Sequence, residues 1–73
     1  MANDVMIRNC SDGFYLMALY KGRSKKVAPL LFASKSTDGM CFENEDEAYA
    51  TIDFIANVID FETAEGLEVV IVP

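Results

Sequence analysis

Carboxylates are the most numerous side chains in this sequence that could do chemistry. The chain has twelve Asp and Glu residues and no histidine. Asp46, Asp53 and Asp60 recur at seven-residue spacing, which on a helix places them about two turns apart on one face. That spacing is too wide for a shared Mg²⁺ ion and is typical of a solvated helix face. We therefore predict a solvent-facing acidic stripe, to which Asn57 also belongs, and no metal site.

Catalytic motifs are missing from the chain. Nucleophilic catalysis through Ser/His/Asp or Cys/His needs a histidine, and neither a GxSxG elbow nor a GxxxxGK phosphate loop occurs. The acidic cluster Glu43–Glu47 does not follow the ligand spacing of a calcium-binding EF-hand loop, and the start of a helix explains it better. The sequence therefore predicts that the protein is not an enzyme, and that it has neither catalytic residues nor a cofactor.

The two cysteines lie far apart, at Cys10 and Cys41. Structural zinc needs four Cys or His ligands, and only these two are available. We expect both to pack as small apolar residues in strands. An intermolecular disulfide and a redox role stay open as alternatives.

Charge is segregated along the chain, which has a net charge of −6. All basic residues lie at or before Lys35, whereas the residues from Ser36 onward include ten acidic side chains and no basic one. This asymmetry indicates an interaction surface. The acidic half could mimic a nucleic-acid backbone and dock in a basic groove of a protein partner, or it could serve solubility alone.

The basic residues cluster in the string KGRSKK at positions 21–26. Lys21, Arg23, Lys25 and Lys26 could neutralise phosphates, so a small nucleic-acid-binding module is an alternative function. The low isoelectric point of about 4.3 argues against it. A solvated loop and a contact with a protein partner are the other interpretations of this segment.

Turn signals and apolar runs predict one α+β domain over residues 1–73, with the element order β-β-β-(β)-α-β. Four or five strands form an antiparallel sheet, and one helix packs on one face. Ser11-Asp12-Gly13 joins the first two strands in a hairpin. Pro29 places the third strand at an edge or at a bulge, and a short fourth strand completes a second hairpin with it. The predicted strands are Val5–Cys10, Phe14–Tyr20, Val27–Ser34, Met40–Phe42 and Leu67–Val72.

One helix is predicted from Glu45 to about Asp60. Asn44 is a good N-cap, and Glu47 can reach back to it in a capping box. The residues predicted to pack on the sheet form one stripe, consisting of Ala48, Ile52, Ile55, Ala56 and Ile59.

A single helix covers a single sheet face, so apolar surface is left over. Strands such as Phe14–Tyr20 are apolar on both faces, and an exposed apolar face favours an interface. A homodimer, in the role of a structural or accessory protein, is therefore another interpretation. The residues predicted for this dimer or partner surface are Tyr15, Met17, Leu19, Phe54, Val58 and Phe61.

The strings GFYLMALY, in the second strand, and EDEAYATI, which opens the helix, loosely resemble small antitoxin-type domains with a partial ribonuclease-H-like sheet. No functional residue is carried over from that resemblance. We expect a small acidic cytoplasmic binding protein without a membrane segment, which inhibits or regulates a protein partner. A nucleic-acid-handling complex is the partner we favour. The small size of the chain suggests an accessory protein of a phage or mobile element.

Overall fold

A computed structural model describes residues 4–19 and 30–73 and confirms the α+β class. One sheet is formed by four antiparallel strands, β1 (Asp4–Asn9), β2 (Tyr15–Leu19), β3 (Leu30–Ala33) and β4 (Leu67–Val72). Their order across the sheet is β3-β2-β1-β4. The helical elements are a 3₁₀ turn (Ser36–Asp38), α1 (Glu45–Phe54), a π-helical turn (Ile55–Ile59) and α2 (Phe61–Glu65). The last three of these pack together on one face of the sheet.

The predicted hairpin between the first two strands is confirmed. The N–H of Asn9 donates to the carbonyl of Phe14, and the N–H of Gly13 donates to the carbonyl of Asn9, both at 2.8 Å. Gly13 has φ of 76°, a left-handed conformation that glycine adopts without a steric cost. Asp12 holds the turn by accepting the N–H of Phe14 at 2.9 Å. The turn residues thus fix the antiparallel start of the sheet.

The segment Met40–Phe42 corrects the sequence prediction of a second hairpin. β1 and β2 pair in register only at Arg8 and Tyr15. Beyond that point Met40 donates its N–H to the carbonyl of Leu16, and Phe42 donates to the carbonyl of Val5, both at 2.8 Å. The segment therefore bridges β2 and β1 instead of pairing with β3. Buried carbonyls of both strands need donors, and this segment supplies them.

The N-terminus of α1 is capped as predicted, with one difference. Asn44 Oδ1 accepts the N–H of Glu47 at 2.8 Å. The Glu47 carboxylate reaches back to the N–H of Glu43, at 3.3 Å, and not to that of Asn44. The helix then packs its apolar stripe on the sheet as predicted, since Ala48 and Ile55 are buried and Ile52, Ala56 and Ile59 pack against the core.

The end of the helix differs from the prediction. The chain stays helical to Ile59, but residues Ile55–Ile59 form a π turn, and a short helix, Phe61–Glu65, follows. Asp60 has extended backbone angles and caps this second helix. Its carboxylate accepts the N–H of Glu62 at 3.3 Å and the hydroxyl of Thr63 at 2.7 Å. The sequence prediction placed Asp60 in the acidic stripe and missed this capping role.

A β-bulge decides which side chains of β2 reach the core. Leu16 lies opposite Phe32 and Leu19 opposite Leu30, so Met17 is the extra residue of β2. Leu16 is fully buried, and Leu19 packs against the same core between sheet and helices. The bulge thus turns Leu16 and Leu19 to the same sheet face, although their spacing of three residues would place them on opposite faces of a regular strand.

Candidate functional site

The surface of α1 that faces away from the sheet is acidic. Ala48 and Ile55 are buried against the sheet, whereas Asp46 and Asp53 are exposed. In the part of the chain that the structure describes, neither carboxylate has a hydrogen bond or an ion pair. Both charges are therefore available to a partner.

Tyr49 lies at the centre of this surface, and the sequence prediction missed it. Its side chain is 57% exposed. On a helix, residues three and four positions apart are neighbours, so Glu45, Asp46 and Asp53 are neighbours of Tyr49 on α1. We call these four residues the acidic helix face. The signal in the sequence was an aromatic residue outside the apolar stripe, flanked by carboxylates on both sides.

The other two members of the predicted stripe have local roles. Asn57 is exposed, but its amide donates to the carbonyl of Asp53 at 2.8 Å. Asp60 is exposed and caps α2. The π turn, which contains Asn57 and ends just before Asp60, also changes the helical phase, because i→i+5 bonding places more residues in each turn. The structure therefore brings Asp46 and Asp53 together around Tyr49, while Asp60 serves a separate helix.

No described basic side chain forms an ion pair with the carboxylates of the acidic helix face. Of the acidic residues after Ser36, all except Glu68 are exposed. Within residues 4–19 and 30–73, one ion pair is present, and it joins Glu68 to Arg8 of β1. The predicted basic loop, Lys21, Arg23, Lys25 and Lys26, lies outside the described residues.

The Arg8–Glu68 pair belongs to a polar row on the sheet face opposite the helices. Arg8 lies opposite Tyr15 on one side and opposite Glu68 on the other. Its Nε donates to Glu68 Oε1 at 2.8 Å. These hydrogen bonds raise the pKa of Arg8 and lower the pKa of Glu68. A hydrogen bond to Glu68 in turn raises the pKa of the Cys10 thiol, so this cysteine is held in its less nucleophilic form.

Both cysteines depart from the prediction that they pack inside strands. Cys10 and Cys41 are free and exposed. Cys10 lies in the turn just after β1, and Cys41 lies between the two residues that bridge β1 and β2. Neither position is part of a regular strand with a covered face.

The residues predicted for an apolar dimer or partner surface are divided among several places. Tyr15 and Leu19 lie on opposite faces of the sheet because of the bulge at Met17. Val58 and Phe61 are exposed at 63% and 62%, but they lie in the helical layer, where Phe54 is half-buried. These six side chains do not form one continuous apolar surface.

A cavity of about 380 Å³ lies between α1 and the sheet. Its polar groups already have partners within the chain, since Thr51 donates its hydroxyl to the Glu47 carbonyl at 2.9 Å and the Glu47 carboxylate accepts the N–H of Glu43. The cavity is lined by Leu19, Met40, Phe42, Glu47, Ala50 and Thr51. It is open to solvent and brings together an apolar wall and no pair of titratable groups, so it lacks the paired groups of a reactive site.

The described residues contain no group of three or more His, Cys, Asp or Glu side chains placed to hold a metal ion. None of their helices is long and apolar enough to cross a membrane. Comparison of the chain with protein-family models, with curated proteins and with solved structures gives no match.

Proposed function

We propose that this chain is a non-enzymatic binding protein that docks on a basic surface of a protein partner through its acidic helix face. The observation that carries the proposal is Tyr49, a large aromatic side chain that stays exposed, with Glu45 and Asp46 one helical turn before it and Asp53 one turn after it. A helix face needs charge to be soluble, but solubility does not require an aromatic ring at its centre.

The chemistry of this face suits arginine-rich surfaces. Carboxylates accept bidentate hydrogen bonds from guanidinium groups, and a tyrosine ring attracts a cation over its face. Tyrosine also provides much contact area at a small cost in side-chain entropy, and it is enriched among the residues that dominate binding energy. Asp46 and Asp53 would pair with partner cations on either side of Tyr49, which would lie at the centre of the contact.

A groove that binds nucleic acid is the partner surface that best fits this chemistry. Such grooves present Lys and Arg to phosphates, and a row of carboxylates can occupy the same cations. The chain would then inhibit or regulate its partner by competing with nucleic acid. The net charge of −6 supports this role, since long-range attraction accelerates association with a basic surface.

The experiment compares quantitative affinity capture by the wild-type chain and three variants. Tyr49→Ala removes the aromatic centre, and the double variant Asp46→Asn/Asp53→Asn removes two charges from the acidic helix face. The matched control, Glu62→Gln/Glu65→Gln, removes two exposed charges from α2 and leaves α1 intact. Capture is repeated with added DNA as a competing polyanion.

We expect at least one partner that the wild-type chain and the Glu62/Glu65 control retain equally. The Tyr49 variant and the Asp46/Asp53 variant should each retain it about tenfold less, since a single interface anchor contributes about 1–2 kcal/mol. DNA should release it. Equal retention by all four proteins would exclude the acidic helix face as the binding surface.

A further inference from the structure

The outer edge of β4 pairs with no other strand among the described residues. The N–H of Cys10 donates to the carbonyl of Gly66 at 2.8 Å, which sets the phase of the β1–β4 ladder. In an antiparallel ladder, hydrogen-bonded pairs alternate with non-bonded pairs. Glu68, Val70 and Val72 therefore direct their backbone groups toward β1. Leu67, Val69 and Ile71 direct theirs outward, and no described strand lies beyond them.

This edge lacks the features that usually prevent strand pairing. Natural edges are protected by lysines, prolines, bulges or short length. β4 runs for six residues in unbroken register with β1, and its sequence is LEVVIV. Glu68 is its only charged residue, and Arg8 already pairs with it. Ile71 is 50% exposed beside the outward backbone groups.

We propose that β4 pairs antiparallel with β4 of a second copy of this chain, around a two-fold axis at Val69. In this register Val69 lies opposite its own counterpart, and Leu67 lies opposite Ile71 of the second copy. All three outward residues then form hydrogen-bonded pairs, which gives about six hydrogen bonds for the interface. The two sheets become one continuous sheet.

Charge selects this register for the pairing of two copies. Glu68 lies opposite Val70 of the second copy, so no two carboxylates face each other directly. A register centred on Glu68 would oppose two like charges, which destabilises a strand pair. A two-fold interface needs only one self-complementary strand, and β4 meets that requirement because its one carboxylate is compensated within its own sheet.

The proposal replaces the dimer through the sheet face that the sequence suggested. On that face Met6 is 1% exposed, and a Cβ built on Gly39 would meet its Cε, so the segment around Gly39 covers it. The Arg8–Glu68 pair lies on the same face. The edge of β4 is thus the more accessible surface for self-association.

Salt separates this interface from the docking proposed above. Two copies that each carry −6 repel one another, so added salt should strengthen the dimer by screening that repulsion. Docking on a basic partner should weaken under the same change. The two proposals therefore predict opposite salt dependence and can fail independently.

The test measures mass by light scattering over a range of protein and salt concentrations. Ile71→Pro removes one outward N–H without removing a hydrogen bond to β1, a position where edge strands tolerate proline. Ile71→Ala keeps the N–H and is the matched control for loss of the side chain. We expect a wild-type dimer that tightens with salt, and dissociation at least about tenfold greater for Ile71→Pro than for Ile71→Ala.

Hydrogen exchange of the wild-type chain supplies a second readout, which does not depend on the folding of a variant. The amides of Val69 and Ile71 should be protected at high protein concentration and lose protection on dilution, while that of Val70 stays protected by β1. A wild-type monomer at every concentration would overturn the proposal, as would equal dimerisation of both Ile71 variants. Protection that appears only when another protein is added would assign the edge to a foreign strand instead.

Discussion

Replacement of Gly39 by alanine tests the least expected feature of the fold, the segment that bridges β1 and β2. Gly39 has φ of −80°, so an alanine there carries no backbone strain. Its Cβ would overlap Met6 Cε and lie 3.1 Å from Tyr15 Cβ. Met6 Cε ends a flexible side chain, but Met6 is buried, so it must repack within the protein, and Tyr15 Cβ is fixed by its strand.

The expected cost follows from this crowding. Extra methyl groups in a packed site cost about 1–3 kcal/mol. A chain of 73 residues has a free energy of unfolding of about 4–11 kcal/mol. With a urea m-value of about 1 kcal/mol/M for so small a domain, the unfolding midpoint should fall by about 1–3 M. Circular dichroism during urea titration measures the change.

Two further variants make the result specific. Gly66→Ala is the matched control, because a Cβ built there meets nothing closer than 3.6 Å, and it should change the free energy of unfolding by less than about 0.5 kcal/mol. Met6→Val shortens the side chain that Gly39→Ala displaces, so the double variant should lose about 1 kcal/mol less than the sum of the single losses. Additive losses at Gly39 and Met6 would refute the proposed packing.

Two other predictions concern local interactions. Asn44→Ala should lower the free energy of unfolding by about 1 kcal/mol, because the N–H of Glu47 loses its cap, and urea titration checks this value. Glu68→Gln should let Cys10 react with iodoacetamide at lower pH, since the hydrogen bond that raises the thiol pKa is weakened, with unchanged Cys41 labelling as the control. The lowered pKa of Glu68 also means that its stabilising contribution is present above the ordinary glutamate pKa of about 4.3 and is lost as pH falls through the lower folded value. Acid unfolding of Glu68→Gln should therefore depend less on pH in that range, and identical acid limbs would contradict the assignment.

Local patterns in the sequence were sufficient to predict most elements. The Ser11-Asp12-Gly13 turn predicted the first hairpin because glycine readily adopts the positive φ that such turns often need. The Asn44 cap and the apolar spacing after it predicted α1 and the residues it buries. In each case the signal lies within one or two turns of chain, where propensity and hydrogen bonding decide the structure.

Features that depend on contacts between distant segments could not be predicted in this way. The bridge from Phe42 to Val5 depends on how far β1 and β2 separate, which no local pattern encodes. The bulge at Met17 reverses the facing of Leu19, and alternation alone cannot reveal an extra residue. In the candidate site, Asp46 and Asp53 were predicted, whereas Tyr49 was missed although its position outside the apolar stripe favours exposure.

The most direct test of the account is amide exchange of the chain in complex with a purified partner obtained by the capture experiment. The account predicts new protection, or chemical-shift change, centred on Glu45–Asp53 and lost together with binding in Tyr49→Ala. Changes confined to other surfaces, with α1 unaffected, would contradict the central claim that the acidic helix face binds the partner.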